Sequence, residues 1–180
     1  MTHKHLYYSL IGLLVFILLL GCFIACYPKG ESDAKKFKKE YEQYNSESKI
    51  KVELDNNNPF VYRNEKQIEK ILKNNTGIIF IGNAKNETSR ATVNLLAKLA
   101  KKTDVTKIFY LDNTNITSKT IKKYTDNKVA IIFVIAGEVI AEYSEQTLKK
   151  QSIMGRCIEC EIEFYMQQTF SDYCDETCND

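Results

Sequence analysis

The sequence predicts an α/β sandwich with a mixed sheet, and three observations carry that expectation. Apolar runs of strand length, Ile78–Ile81, Thr106–Leu111 and Val129–Ile135, alternate with segments whose apolar residues recur at helical spacing. The last run turns through Ala136-Gly137 into Glu138–Tyr143, which reads as an antiparallel hairpin. The resulting order, β-α-β-α-β-α-β-β-α, is that of strands and helices alternating along one sheet before a closing hairpin and helix.

Gly77–Lys102 is the centre of this pattern. Ile78–Ile81 is a short run of β-branched and aromatic residues, Gly82 breaks it, and a helix is expected from Glu87. Asn86 suits the N-cap, with Ser89 three residues on, and Glu87 suits the positive end of the helix dipole. Ala91, Leu95, Leu96 and Leu99 supply the expected buried face. Free N–H groups where a buried strand feeds a helix stabilise anions and thiolates. Here the turn holds no cysteine and no histidine.

The flanking elements follow in order. Ser32–Ser48 is polar, with Phe37, Tyr41 and Tyr44 at helical spacing, and reads as an exposed helix or stalk. Its Lys35–Lys39 cluster reads as a solvated face. Lys49–Leu54 alternates and predicts a first strand; Asn56–Pro59 is a loop. Glu65–Asn74 carries Ile68, Ile71 and Leu72 on one helical face. Asp112–Asn115 is a turn and Ser118–Asp126 a short helix. A last helix begins near Glu145 or resumes after Gly155, with Ile158, Ile162, Tyr165 and Met166 buried. The expected boundaries are 1–27 for a signal or membrane anchor, 28–48 for a polar, partly helical tether, 49–172 for the domain and 173–180 for an acidic, cysteine-containing tail.

The 180 residues allow one domain with a core, and a net charge of +2 selects no partner class. Leu6–Tyr27 is uncharged and mostly apolar, and at ~1.5 Å per residue it can span a bilayer core. Leu19-Leu20-Gly21-Cys22 and Phe23-Ile24-Ala25-Cys26 both resemble the end of a lipoprotein signal. An uncleaved anchor, lipidation at Cys22 or Cys26, and cleavage with release all stay open. The lysines from Lys29 to Lys39 would favour a cytoplasmic side. The signal-like N-terminus and the late paired cysteines favour export to an oxidising compartment.

The six cysteines are Cys22, Cys26, Cys157, Cys160, Cys174 and Cys178. Cys157-Ile158-Glu159-Cys160 has the spacing of a redox dithiol, but Glu159, Glu161 and Glu163 crowd it and should raise the thiol pKa, with Arg156 offsetting only part. Local disulfides, Cys157 with Cys160 and Cys174 with Cys178, are the expectation. The four late thiols also match a zinc pattern, yet a continuous helix would keep the pairs apart, so no metal is expected. His3 and His5 are the only histidines and precede the apolar run, so histidine chemistry in the domain is excluded. Gly82-Asn83-Ala84-Lys85 is no phosphate loop, and the Asn-x-Ser/Thr matches at Asn74, Asn86 and Asn115 are chance in an Asn-rich chain.

The segments NNPFVYRNEKQIEKILKNNTGIIFIG (57–82) and KIFYLDN, in this order and spacing, resemble the thioredoxin-like superfamily. They are most similar to small membrane-anchored or lipoprotein members from low-GC Gram-positive bacteria, some labelled bacteriocin-transport accessory proteins. The resemblance covers roughly Lys35–Tyr143 and the cysteine-bearing tail, and implies a three-layer α/β/α sandwich. Alignment on Gly82 and Arg90 puts the family's redox cysteines at Asn86 and Ser89, and its cis-proline at about Val129. All three are replaced, and Asn and Ser cannot exchange disulfides. The leading expectation is a membrane-tethered, extracytoplasmic binding or accessory module without a cofactor. Its expected partners are the membrane, through Leu6–Tyr27, and another protein, with no nucleic acid. The competing expectation is a thiol–disulfide oxidoreductase or redox partner using Cys157 and Cys160.

Overall fold

The computed structural model describes residues 31–126, 128–150, 152–153 and 156–177. Leu6–Tyr27 with Cys22 and Cys26, and Cys178 at the other end, lie outside the described residues. Among the described residues no helix is long and apolar enough to cross a membrane.

The elements run α1 (Asp33–Glu42), β1 (Phe60–Tyr62), α2 (Glu65–Asn74), β2 (Gly77–Gly82), α3 (Glu87–Lys102), β3 (Ile108–Asp112), α4 (Lys119–Thr125), β4 (Ala130–Ile135), β5 (Glu138–Ser144), α5 (Glu145–Lys149), β6 (Ser152–Ile153), β7 (Arg156–Cys157) and α6 (Ile158–Thr177). Five strands form a mixed sheet in the order β1-β3-β2-β4-β5, and β6 pairs only with β7. β1, β3 and β2 are parallel; β4 runs antiparallel to β2 and to β5. The α/β expectation with a mixed sheet therefore holds.

Side-chain alternation along the strands splits the core in two. Ile78 and Phe80 of β2 pack with residues of α1, α3 and α6 on one face. Ile79 and Ile81 pack with Ile68, Ile71 and Leu72 of α2 and Ile121 of α4 on the other. Because both faces are covered, β2 is buried along its whole length, which is why it reads as an unbroken apolar run. The hairpin turn needs positive φ at both central residues, and Ala136 (51°) and Gly137 (83°) supply it.

Helix boundaries follow capping chemistry. Asn64 and Gln67 make a reciprocal capping box at α2, Ser118 caps α4, and Ser144 caps α5. Asn86 caps α3 as its residue type predicts, Asn86 Oδ1 accepting the Ser89 N–H at 3.0 Å. The buried face of α3 is rotated from the expected one: Val93, Leu96, Leu99 and Ala100 are buried with Ser89, Arg90 and Thr92, while Ala91 and Leu95 are half-buried.

Three expectations are corrected. Ser32–Ser48 is no exposed stalk: the folded unit starts at Ser32, and Phe37 and Tyr41 of α1 are fully buried against the sheet. Phe37 stacks on Tyr41 and Phe60, with ring centroids 4.5 and 4.2 Å apart. The domain thus begins before residue 49. The lysines of α1 occupy its outer side, as expected of a solvated face.

Lys49–Leu54 is not a strand; the first strand is Phe60–Tyr62. Val52 and Leu54 are buried, so the alternation is real. But the backbone groups of this segment pair with side chains instead of a ladder. Glu87 accepts the N–H groups of Lys49 and Ile50 at 2.9 and 3.0 Å. Asn45 both accepts from and donates to Val52, each at 2.9 Å.

The third correction concerns the tail. α6 is continuous to Thr177, so residues 173–177 extend the last helix.

Candidate functional site

The positions that the resemblance aligns with a dithiol and a cis-proline do come together. Val129 is fully buried at the entrance to β4, and its N–H donates to Glu145 Oε2 at 3.3 Å. The Asn86 side chain bonds the same carboxylate, and Lys149 closes on its other oxygen at 2.6 Å. Burial opposes ionisation of Glu145, but Lys149, the Val129 N–H and Asn86 together hold its carboxyl below the usual range. One carboxylate thus ties α3, β4 and α5.

Ser89, the other aligned position, is fully buried, and its hydroxyl meets Tyr41 OH at 2.9 Å. A Cβ on Gly82 would overlap Ser89 Oγ, so glycine is what lets α3 approach the end of β2. Burial drives the Tyr41 phenol far above its normal pKa, so it acts as a neutral hydroxyl. Arg90 beside it is fully buried as well. Its guanidinium donates to the carbonyls of Ile50, Tyr41 and Ala84 at 2.6, 2.7 and 3.1 Å, and to Asn45 Oδ1. These groups hold structure, and none presents a nucleophile.

The reactive atoms lie at the start of α6. Cys157 directly precedes this 20-residue helix and Cys160 is within its first turn. Both are free, exposed thiols, in place of the disulfide that their spacing suggests. The Cys160 N–H donates to Cys157 Sγ at 3.4 Å, so the sulfur takes the place of a capping oxygen. The hydrogen bond from Cys160 pulls the Cys157 thiol below its ordinary pKa, and the same bond pushes the Cys160 thiol up.

This reverses the expectation that the flanking glutamates would suppress ionisation at Cys157. The reason is the pair of hydrogen bonds from the side chain and backbone of Cys160, which outweigh burial and the Glu159 charge. The C-terminal lysines of α3 reach across to the same helix. Lys98 Nζ lies 2.7 Å from Glu159 Oε1, and Lys102 Nζ 2.7 Å from Glu163 Oε1. Glu161 accepts from Tyr143 OH at 3.3 Å. Glu159 still opposes ionisation at Cys157. The lysine run at the end of α3 was visible in the sequence; its meeting with α6 was not.

Cys157 opens on two cavities. One, of about 320 Å³, is walled by Thr88, Ala91, Thr92 and Leu95 of α3 and by Leu148 and Ile158. Thr88 lies between Asn86 and Ser89, so the Cys157 thiol shares a groove with the first turn of α3. The other, of about 690 Å³, is shared with Cys160 and lies between β5 and α6.

No protein-family model matches the chain, and no curated protein matches it.

The remaining cysteines are placed differently. α6 is continuous, so Cys174 stands ~21 Å along its axis from Cys160. Cys178 is outside the described residues, so its pairing with Cys174 is outside them too. Among the described residues no cluster of His, Cys, Asp or Glu is disposed to hold a metal.

Proposed function

We propose that the protein is a membrane-tethered, thioredoxin-like thiol–disulfide exchange protein whose working dithiol is Cys157–Cys160. The carrying observation is the Cys157 thiol: free, exposed, at a helix N-terminus, and hydrogen-bonded by Cys160. Sheet order, helices on both faces and the capped helix after β2 support the thioredoxin-like reading of the fold. On this reading the family position on α3 has become a structural joint closed by Glu145, and the dithiol sits across the groove on α6. That favours the exchange reading over a purely non-enzymatic module, while the groove remains a surface for a partner protein.

The chemistry is two nucleophilic displacements. The Cys157 thiolate attacks one sulfur of a substrate disulfide. A mixed disulfide forms, the substrate S–S bond breaks, and the departing thiolate takes a proton from solvent. The Cys160 thiol loses its proton, and its thiolate attacks Cys157 Sγ and expels the second substrate thiolate. The substrate gains two electrons and two protons; Cys157 and Cys160 lose them and become a disulfide. An external dithiol reductant returns the pair to thiols, and the same steps run backwards to oxidise a substrate.

The test is reduction of insulin by the full-length chain in detergent with dithiothreitol as the terminal reductant. Turnover above the uncatalysed rate is expected, with Cys157→Ser abolishing it and Cys160→Ser accumulating a mixed disulfide at Cys157. Turnover that survives Cys157→Ser overturns the proposal.

A further inference from the structure

We infer that the Cys157–Cys160 site selects disulfides carrying positive charge next to the sulfur–sulfur bond, and discriminates against anionic ones. The inference rests on the exchange reading above and concerns the larger cavity, into which both thiols open. Its wall combines two carboxylates, Glu142 of β5 and Glu161 of α6, with the rings of Tyr143, Phe164 and Tyr165. No lysine or arginine lines it among the described residues.

Among the described side chains, the nearby lysines are turned to other work. Lys98 and Lys102 are engaged with Glu159 and Glu163 on the α3 side. Lys123 acts on Glu142 electrostatically but does not line the cavity; its ammonium lies 5.5 Å from the Tyr124 ring centroid. The aromatic component matters because ring faces attract ammonium and guanidinium groups. Phe164 is 53% exposed, the large hydrophobic side chain left open among the described residues, and it packs edge-on against Tyr165 at 5.4 Å. Carboxylates beside the exposed Phe164 ring make a surface for cations. Cys157 and Cys160, exposed in its wall, would meet a disulfide flanked by an ammonium or a guanidinium. A carboxylate-flanked disulfide would meet like charge.

Three small symmetric disulfides test this on the reduced full-length chain in detergent: cystamine (cationic), bis(2-hydroxyethyl) disulfide (neutral) and 3,3′-dithiodipropionate (anionic). Each rate of disulfide formation at Cys157–Cys160, read by peptide mass mapping, is divided by the rate of the neutral thiol 1-thioglycerol with the same reagent, which removes intrinsic reactivity. The expected order is cation over neutral over anion, about fivefold or more between the extremes at low ionic strength, narrowing in high salt. Glu142→Gln with Glu161→Gln should bring the three normalised rates together. The salt dependence of the unmutated chain provides the same readout if that double variant misfolds. Equal or reversed rates across the three reagents overturn the charge selection and leave the exchange reading standing. No reaction at Cys157 with any of them overturns both.

Discussion

Arg90 is the residue whose loss should be felt most widely. Its guanidinium serves three backbone carbonyls and the Asn45 side chain from a fully buried position, so removing it strands several acceptors at once. A buried acceptor left without a donor costs about 1–3 kcal/mol. Arg90→Met should therefore lose about 3–5 kcal/mol in urea unfolding, and should expose the 44–54 segment to limited proteolysis. Lysine should rescue only part, because one ammonium cannot reproduce a planar fork of donors. Cys157 gives a second residue-scale prediction, in pH. A lowered pKa means that thiolate persists at pH values where an ordinary cysteine, with a pKa of about 8.5, is mostly protonated. Site-resolved alkylation by iodoacetamide should stay fast at Cys157 as pH falls below that value, and Cys160 should lag behind it. Equal pH profiles at the two sulfurs would contradict the hydrogen-bonded arrangement.

Among the elements, α1 shows most clearly what the sequence could and could not reveal. Phe37, Tyr41 and Tyr44 at helical spacing announced the helix, but composition alone pointed to a polar stalk. Two large aromatic rings suffice to anchor a mostly charged helix when the sheet offers them Phe60 and Tyr110, 4.2 and 4.8 Å away from Phe37. Phe37→Ala should thus cost about 3–5 kcal/mol, measured by denaturant unfolding, and a chain starting at Ser48 should fail to fold stably. Wild-type stability in either variant would restore the stalk. Elements with their own caps and unbroken apolar runs, such as α2, β2 and β4, were legible because local chemistry decided them. Lys49–Leu54 was misread because its backbone partners are side chains: Glu87 from the distant α3, and Asn45 and Glu42 from the turn and helix just upstream. The candidate site divides in the same way. The Cys-x-x-Cys spacing was visible, whereas the lysine contacts of α3 with α6 and the shared groove with Thr88 depend on how α6 crosses α3. Glu145 carried no signal beyond starting a helix. The carboxylate of Glu65 adds an element-scale prediction. It accepts the Thr117 N–H at 2.8 Å and the Ser118 N–H at 2.6 Å, which ties α2 to the start of α4. Thr117 first, then Ser118, depress its pKa, so the stability it contributes is present above its unfolded value, about 4.3, and is lost as pH falls through the lower folded one. Glu65→Gln should remove that pH-dependent part and speed hydrogen exchange at Thr117 and Ser118.

At the scale of the whole molecule, compartment and chemistry constrain each other. A dithiol that exchanges with substrate disulfides has work where disulfides persist, outside the cytoplasm. The lysines after the apolar run argue for the opposite side under the positive-inside tendency. Lys35, Lys36, Lys38 and Lys39 belong, however, to α1, a helix whose other side is built into the core, and Lys38 already faces Glu42 at 3.7 Å. These four thus have a place in the folded domain whichever side it occupies, which weakens them as a topology signal. We therefore expect Leu6–Tyr27 to hold the chain on the membrane with the domain outside. The exposed Cys157 thiol is a built-in reporter. A membrane-impermeant maleimide applied to intact, wall-stripped cells after mild reduction should label Cys157, and the label should fractionate with membranes. Deleting residues 2–27 should leave the protein soluble inside the cell and unlabelled until lysis. A lipidated form should carry added mass that disappears with Cys22→Ser or Cys26→Ser, whereas a plain anchor shows no such change. Labelling of the full-length chain only after lysis would place the domain in the cytoplasm, and would remove the oxidising environment in which the exchange reaction has substrates.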